Sequence, residues 1–422
     1  MLSSNLEVSV VLKVTPLDLR PDAAQIARRL WDREGLVLVR VGAFTFVACD
    51  PVEVAERFDP EPTLARRALL HGESPRWFGL LPYESLRGGE GELESDTRAA
   101  ALVERPLWLR YGALVRVGDG VELIADSEDA ARQLAALLER APRARDVELS
   151  FDGALEAPGL HALRVQKALE EIASGNIYEV NLARRFELSV NGSAPELLAA
   201  FERSGKMPHS FALEHRDLKV VAVSPELCLR LEPDGELMTS PIKGTRPRHP
   251  DPLEDQRLAR ELEEDPKERA ELTMIIDVER NDFGRVATLG SVRLSEPPHV
   301  VSLPGVHHRV ASVTAQVAPE LGRDELFEAV LPSGSVTGAP KRRAMQLIRE
   351  LEPHRRGLYT GAVGFVRHDG GVELKMAIRT LVARGSRGHY FAGGGIVADS
   401  VPEREVEETL WKAERLLSLA AG

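Results

Sequence analysis

The chain has 422 residues, 43% of them hydrophobic, enough for one large or two ordinary domains with a sizeable core. Its 54 Lys and Arg against 66 Asp and Glu leave a formal net charge of −12, which disfavours nucleic acid as the main partner and leaves room for a local basic pocket that takes a small anion. No apolar run approaches the roughly 18–20 residues of a membrane span, the stretch 8–14 is interrupted by Lys13 and has no basic leader, and two cysteines are too few for a disulfide framework. A soluble cytoplasmic protein is expected, with Cys49 and Cys228 packed as small hydrophobes.

Residues 1–150 read as one unit of mixed strands and helices. Ile26, Leu30 and Trp31 have helical spacing, 36–47 is an apolar strand, and 128–140 is an Ala/Leu-rich helix. Nothing in this unit suggests chemistry. The stretch 87–98, with Gly88, Gly89 and Gly91 among acidic residues, reads as an exposed loop. The Pro- and Gly-punctuated segment 142–159 ends the unit, and residues 155–422 form the second.

That second unit opens with a helix whose Val165, Leu169 and Ile172 share a face and which stops at Gly175. In the long strand that follows, Tyr178, Val180 and Leu182 share one parity, so Glu179, Asn181, Ala183 and Arg185 face the other way. The stretch 220–231 is read as another strand, with Glu226 opposite Leu227, Leu229 and Leu231 in parity. Residues 236–240 make a short strand that delivers Lys243, followed by Gly244. An amine attacks only when uncharged, and Arg246 and Arg248 are candidates for the field that lowers its pKa. Taken alone, such a lysine is a solvated loop charge more often than a catalyst.

Asp265 and Pro266 start a helix in which Glu268 has capping-box spacing. Glu268 and Glu271 lie on the same side as Leu272, Ile275 and Val278, and a carboxylate in an apolar stripe is costly to bury without a cation. Near the C-terminus the glycine run Gly393, Gly394, Gly395 is read as exposing backbone N–H groups to an anion, ahead of a helix starting at Ser400. On that helix Glu405, Glu408 and Lys412 make one face. Two helices with glutamates at i, i+3 can converge on a hard cation such as Mg²⁺, although surface pairing explains the same spacing. The segment 334–341 is not a P-loop, because Lys341 comes three residues after Gly338 and is followed by Arg342. In the strand read over 372–382, Arg379 is either an ordinary surface arginine or a bidentate partner for a carboxylate.

Assembled, these segments resemble the chorismate-utilising enzymes, a family containing anthranilate, aminodeoxychorismate, isochorismate and salicylate synthases. The resemblance covers roughly residues 160–418 and rests on Ser224-Pro225-Glu226, Pro241-Ile242-Lys243-Gly244-Thr245, the 265–282 helix, His299-Val300-Val301-Ser302, the 334–341 segment, Ile378-Arg379-Thr380 and the stretch from Gly393 to Lys412. It implies an α/β (α+β type) fold of two antiparallel sheets packed face to face with helices outside. Members that add water have a lysine base where this chain has Glu179, which argues against isochorismate and salicylate formation. Typical anthranilate synthases have alanine where this chain has Lys243, so the resemblance points to 4-amino-4-deoxychorismate as product, on the route to p-aminobenzoate and folate. Anthranilate formation and a non-catalytic metabolite-binding role are the alternatives.

By the same resemblance Lys243 is the nucleophile, Glu226 protonates the leaving ring hydroxyl, and His299 donates, orients or transfers a proton. Mg²⁺ is expected on Glu271 and Glu408, with Glu268 and Glu405 close behind. Gly244, Thr245, Thr337, Tyr359, Arg379, Lys412 and the backbone of Gly393, Gly394 and Gly395 are expected to hold substrate. His307 and His308 are read as a solvated loop. The segment 35–40 lacks the serine of the family's tryptophan pocket. Neither cysteine has a glycine-flanked elbow to present a thiolate, so ammonia is expected from a separate glutamine amidotransferase subunit.

Overall fold

The computed structural model describes residues 13–20, 22–60, 72–86, 96–151, 157–205, 207 and 209–420, so most of the loop expected over 87–98 lies outside the described residues. Among the described residues two large antiparallel sheets lie face to face. Val37, Val39, Phe211 and Val220 of the first sheet share one core with Phe78, Leu80, Leu109, Val363 and Phe365 of the second. Helices Ala23–Arg29, Glu128–Leu138 and Ala194–Phe201 cover the outer face of the first sheet. Helices Pro266–Gly284 and Arg323–Val330 cover that of the second. No helix among the described residues is long and apolar enough to cross a membrane.

The apolar run in strand Leu36–Val41 follows from burial on both faces, since Leu36 and Leu38 point to the outer core and Val37 and Val39 to the inner one. The single strand expected over 36–47 is a hairpin. Gly42, at φ +56°, takes the left-handed turn that sends Phe44–Ala48 back along Leu36–Val41. Both sheets draw strands from both sides of the 142–159 stretch: Leu36–Val41 pairs with His209–His215, and Pro75–Leu81 with Ala362–Arg367.

Two further strands expected as single runs are each divided between the sheets, and this division builds the site. Leu218–Ser224 belongs to the first sheet and Leu227–Leu231 to the second. Pro225 between them has no N–H to continue a ladder. Likewise Val372–Met376 lies in the second sheet and Thr380–Arg384 in the first, with Arg379 at φ +51°. The two crossings are bonded together, Met376 N–H to the Glu226 carbonyl at 3.1 Å and Val223 N–H to the Arg379 carbonyl at 3.2 Å. Glu226 and Arg379 therefore meet where the chain leaves one sheet for the other.

Arg356, fully buried, fastens this region. Its guanidinium donates to the carbonyls of Asn181 at 2.8 Å and Val336 at 3.0 Å, to Thr360 Oγ1 at 3.1 Å and to the buried Glu352 carboxylate at 2.7 Å. Removing one member of a buried pair leaves the other uncompensated, which typically costs about 3–5 kcal/mol. Arg356→Ala is expected to destabilise the protein by that amount in denaturant titrations. A loss under about 1 kcal/mol, the range of exposed pairs, contradicts the role given to this network.

Candidate active site

Lys243 is the second residue of strand Ile242–Pro247, which begins directly after Pro241 interrupts the strand Glu236–Ser240. Gly244, at φ +76°, makes a bulge against strand Val306–Gln316. A Cβ there would lie 2.7 Å from Leu262 Cδ1 and 2.9 Å from Glu268 Oε2, so the space it leaves is filled by protein rather than kept for ligand. Lys243 Nζ donates to the Glu179 carboxylate, which is buried on strand Glu179–Asn191. Burial pulls the lysine pKa down, but Glu179, Glu271 and Glu226 together carry it above the ordinary value. The amine is thus held charged in the free protein, the reverse of the sequence expectation. Arg246 and Arg248 contribute nothing to a depression because they are engaged elsewhere, Arg246 with Asp265 at 2.9 Å and Glu268 at 3.5 Å, Arg248 with Asp255 at 2.7 Å.

Around Lys243 is a cavity of about 320 Å³, lined by Glu226, Gly244, Thr245, Tyr359, Arg379, Gly393, Gly395 and Lys412. Glu268 and Glu271 enter it from helix Pro266–Gly284, whose first turn is capped by Asp265 through the N–H groups of Lys267 and Glu268. Glu405 and Glu408 enter from helix Pro402–Lys412. That helix starts two residues later than expected, with Val401 as cap, and Ser400 instead bonds the Glu405 side chain.

The glycine run is also placed differently from expectation. Gly393, Gly394 and Gly395 are strand residues paired with Ala183, Leu182 and Asn181 rather than a loop of open N–H groups before a helix. Their contribution is room for side chains. A Cβ at Gly394 would lie 3.1 Å from Glu408 Oε1 and 3.3 Å from Glu405 Oε2, and one at Gly395 would collide with Glu179 Oε1 at 2.3 Å. Beyond Tyr390 this strand has left its partner Thr380–Arg384, so one edge of 391–396 faces the cavity.

Glu226 is buried, accepts a hydrogen bond from Ser335 Oγ at 2.8 Å, and has its pKa pushed up to about 7, chiefly by burial. Glu271 is also pushed up to about 7, by burial first, with Lys243 opposing the shift. Burial raises Glu268 and Glu405 as well. Glu408 goes the other way, since Lys412 at 2.6 Å and its hydrogen bond outweigh the effect of burial. Tyr359 stacks on Phe391 with centroids 5.2 Å apart, and Lys412 Nζ donates to the Gly393 carbonyl at 2.9 Å.

Three predicted site residues do not line the cavity: Gly394, His299 and Thr337. His299 lies on strand Arg293–Leu303, and Val310 pairs with His299 on one side and Ile242 on the other, so a whole strand intervenes. The histidine that lines the cavity is His308, fully enclosed in strand Val306–Gln316, with Nδ1 3.1 Å from Thr245 Oγ1 and Nε2 without a partner. His307 is equally buried, against Asp255, so neither histidine is a solvated loop residue. Thr337 is fully buried with its hydroxyl turned back to the Ser333 carbonyl at 2.9 Å. Ser335 and Val336 line the cavity instead. The strand alternation after His308 and the second hydroxyl in Gly334-Ser335-Val336-Thr337 were the available signals for these residues.

The four glutamates offer oxygen donors of the kind a hard divalent cation prefers. Glu405 Oε2 is buried without a hydrogen-bond partner, which suits such an ion. Among the described residues no three acidic, histidine or cysteine groups are already close enough to hold one.

A sequence profile described as chorismate binding enzyme matches residues 31–418, and the chain belongs to that family. Among curated relatives, aminodeoxychorismate synthase component 1 of Escherichia coli (strain K12) is 41% identical over 254 residues, 60% of this chain and 56% of the relative. Anthranilate synthase component 1 of Thermus thermophilus is 44% identical over 254 residues, 60% of this chain and 54% of the relative. The chain thus spans about half the length of the curated relatives it matches. In fold it is similar to MenF, the menaquinone-specific isochorismate synthase of Escherichia coli, at TM-score 0.78 and 20% identity, covering 97% of this chain and 94% of that one. Anthranilate synthase component I of Streptococcus pneumoniae gives TM-score 0.72 at 24% identity, covering 97% and 92%.

The raised pKa of Glu226 has a defined sign in stability. The folded protein binds that proton more tightly than the unfolded chain between about pH 4.5 and 7. Ionising the buried carboxyl across this window therefore destabilises the fold as pH rises. Glu226→Gln removes the ionisation and keeps the Ser335 contact. Its melting temperature should match wild type near pH 4.5, exceed it increasingly toward pH 7 and level off above; a constant difference across this range refutes the assignment.

Proposed function

We propose that this chain converts chorismate and ammonia into 4-amino-4-deoxychorismate, as a component of p-aminobenzoate and folate synthesis in the cytoplasm. The observation that carries this reading is Lys243, a buried amine inside a cavity whose other walls supply an acid, oxygen donors for a cation, and arginine and lysine for carboxylates. All residues lining that cavity fall between Asn181 and Lys412, which supports placing the catalytic part in residues 155–422.

In this reading uncharged Lys243 adds to the ring carbon beside the carboxylate-bearing carbon, the double bonds shift, and the ring hydroxyl leaves as water with the proton of Glu226. A carboxyl with a pKa of about 7 is suited to carry that proton near neutrality. Ammonia then bonds where the hydroxyl left, and the electron pair of the breaking carbon–nitrogen bond returns to Lys243. Mg²⁺ is proposed on Glu271 and Glu408, backed by Glu268 and Glu405, and when bound it would neutralise and hold the ring carboxylate. Arg379, Lys412 and Tyr359 orient the remaining substrate oxygens, with His308 in the role expected of His299.

Ammonia is proposed to come from a separate glutamine amidotransferase subunit. Cys49 and Cys228 are both buried, and burial pushes both thiols far above the ordinary range, which does not suit a thiolate that attacks glutamine. The rival reading is anthranilate formation, favoured by relatives of that name at comparable identity. It differs in releasing pyruvate.

With chorismate, ammonium and Mg²⁺ the purified chain is expected to form 4-amino-4-deoxychorismate by mass, without pyruvate, and to form none from glutamine alone. Lys243→Ala should abolish this, and a retained cooperative melting transition checks that the variant is folded even though buried Glu179 has lost its partner. Pyruvate release in step with turnover, or full activity of the lysine variant, overturns the reading.

The metal proposal is tested separately. Glu271→Gln and Glu408→Gln each replace an anionic donor with a neutral one of nearly equal shape, so both should raise the Mg²⁺ concentration for half-maximal rate. Arg269→Gln should not, because Arg269 leaves the cavity and bonds the Glu263 carbonyl at 2.8 Å. Equal Mg²⁺ dependence in all three variants sinks the two-helix site.

A further inference from the structure

The nucleophile reading leaves one step without an agent. Lys243 is charged in the free protein, and a charged amine cannot add to a ring carbon. Its proton must go to some group within the cavity or out to solvent. Five acids other than Glu179 face the same cavity from neighbouring elements, and none is placed to take it: Glu268 is paired with Arg246 at 3.5 Å, and Glu405, like Glu268, makes no ion pair with Lys243. Glu226, at the sheet crossing, already carries a proton near neutrality and is bonded to Ser335. Glu271, on helix Pro266–Gly284, has Lys267 as its nearest cation at 3.7 Å and makes no contact within 4 Å of Lys243. Glu408, on helix Pro402–Lys412, is held by Lys412. His308, on the adjacent strand, is pushed down to about 4 by burial and stays neutral.

Glu179 alone among the described carboxylates touches the amine. One of its oxygens receives the Lys243 hydrogen bond, while the other, Oε2, is buried and has no hydrogen-bond partner. That second oxygen can therefore take a hydrogen without any existing bond being broken. The position is built for this contact. Glu179 faces inward by strand parity while Tyr178 points outward and is exposed, and the chain opposite carries Gly395, where any side chain would strike Glu179 Oε1.

We propose that Glu179 is the catalytic base that takes the proton of Lys243 when substrate is bound and returns it when the lysine is expelled. The proposal rests on the reading of Lys243 as nucleophile. Written out, the Lys243 ammonium gives one proton to the Glu179 carboxylate, and the freed electron pair forms the bond to the ring carbon. The hydroxyl leaves with the Glu226 proton as water. After ammonia has bonded to the ring, the departing Lys243 amine recovers its proton from the Glu179 carboxylic acid, and the product ammonium restores the proton of Glu226. No proton is exchanged with solvent in the lysine step.

The test compares pH–rate profiles of wild type, Glu179→Gln and Lys243→Ala with ammonia held constant. It adds the pH dependence with which an amine-specific reagent labels Lys243, read by mass spectrometry. Glutamine cannot accept the proton and also removes the charge that holds the lysine protonated. In Glu179→Gln the labelling of Lys243 should therefore move to lower pH. The rate should fall at least about tenfold near pH 6.5 and climb about tenfold per pH unit until the lysine has titrated. Wild type should show no such limb. A Glu179→Gln rate equal to wild type at pH 6.5, or a loss that persists at pH values where labelling finds the lysine neutral, overturns the base while leaving the nucleophile in place. An active Lys243→Ala overturns both.

Discussion

A single buried guanidinium holds the working parts of this protein together. Arg356 is bonded to the carbonyl of Asn181, on the strand that carries Glu179, and to that of Val336, beside Ser335. It also lies 5.5 Å over the ring of Tyr359. The segments of Asn181 and Val336, distant from each other in the chain, therefore share one rigid donor, and Tyr359 packs against it. The five N–H groups of arginine fan out in a fixed plane, so satisfying them sets the spacing of everything they touch. Glu352 answers the charge and donates nothing, which leaves the backbone contacts undisturbed.

Around that anchor the cavity sorts its acids by neighbourhood. It is lined by Glu226, Glu268, Glu271, Glu405 and Glu408, and only Glu408, gripped by Lys412, lies below the ordinary carboxylate range. The other four are raised, with burial the largest cause in each. The fold thus brings these oxygens together with less positive charge than full ionisation wants. Such a site favours a proton or a cation at the same oxygens, and which of them gets which is decided by access.

Much of this was visible in one dimension because it obeys a local period. The 3.6-residue repeat placed Glu268 with Glu271 and Glu405 with Glu408, and both pairs do face the cavity. Strand parity put Glu179 and Asn181 on one side together. What depends on pairing between distant strands was not legible. Choosing His299 over His308 needs the knowledge that strand Val306–Gln316 lies between the former and Lys243. The Lys243 and Glu179 contact joins strands of different sheets, and the absence of a side chain at Gly395 leaves room for it. The runs 220–231 and 372–382 look continuous by hydrophobicity, since each half is buried; the change of sheet within them leaves only Pro225 and a left-handed Arg379 as traces.

The pairing of Leu81 with Ala362, and of Val39 with Phe211, also constrains the order in which the chain can be assembled. During synthesis the strand Pro75–Leu81 emerges long before Ala362–Arg367, its partner in the second sheet. At about 5–20 residues per second, roughly a quarter of a minute to a full minute separates them. For that interval Trp77, Phe78 and Leu80, all buried in the finished protein, have lost neither their solvent nor their unpaired edge. A nascent chain of this fold therefore carries a sticky, half-paired strand through most of its translation, and contacts of such long range close slowly even afterwards.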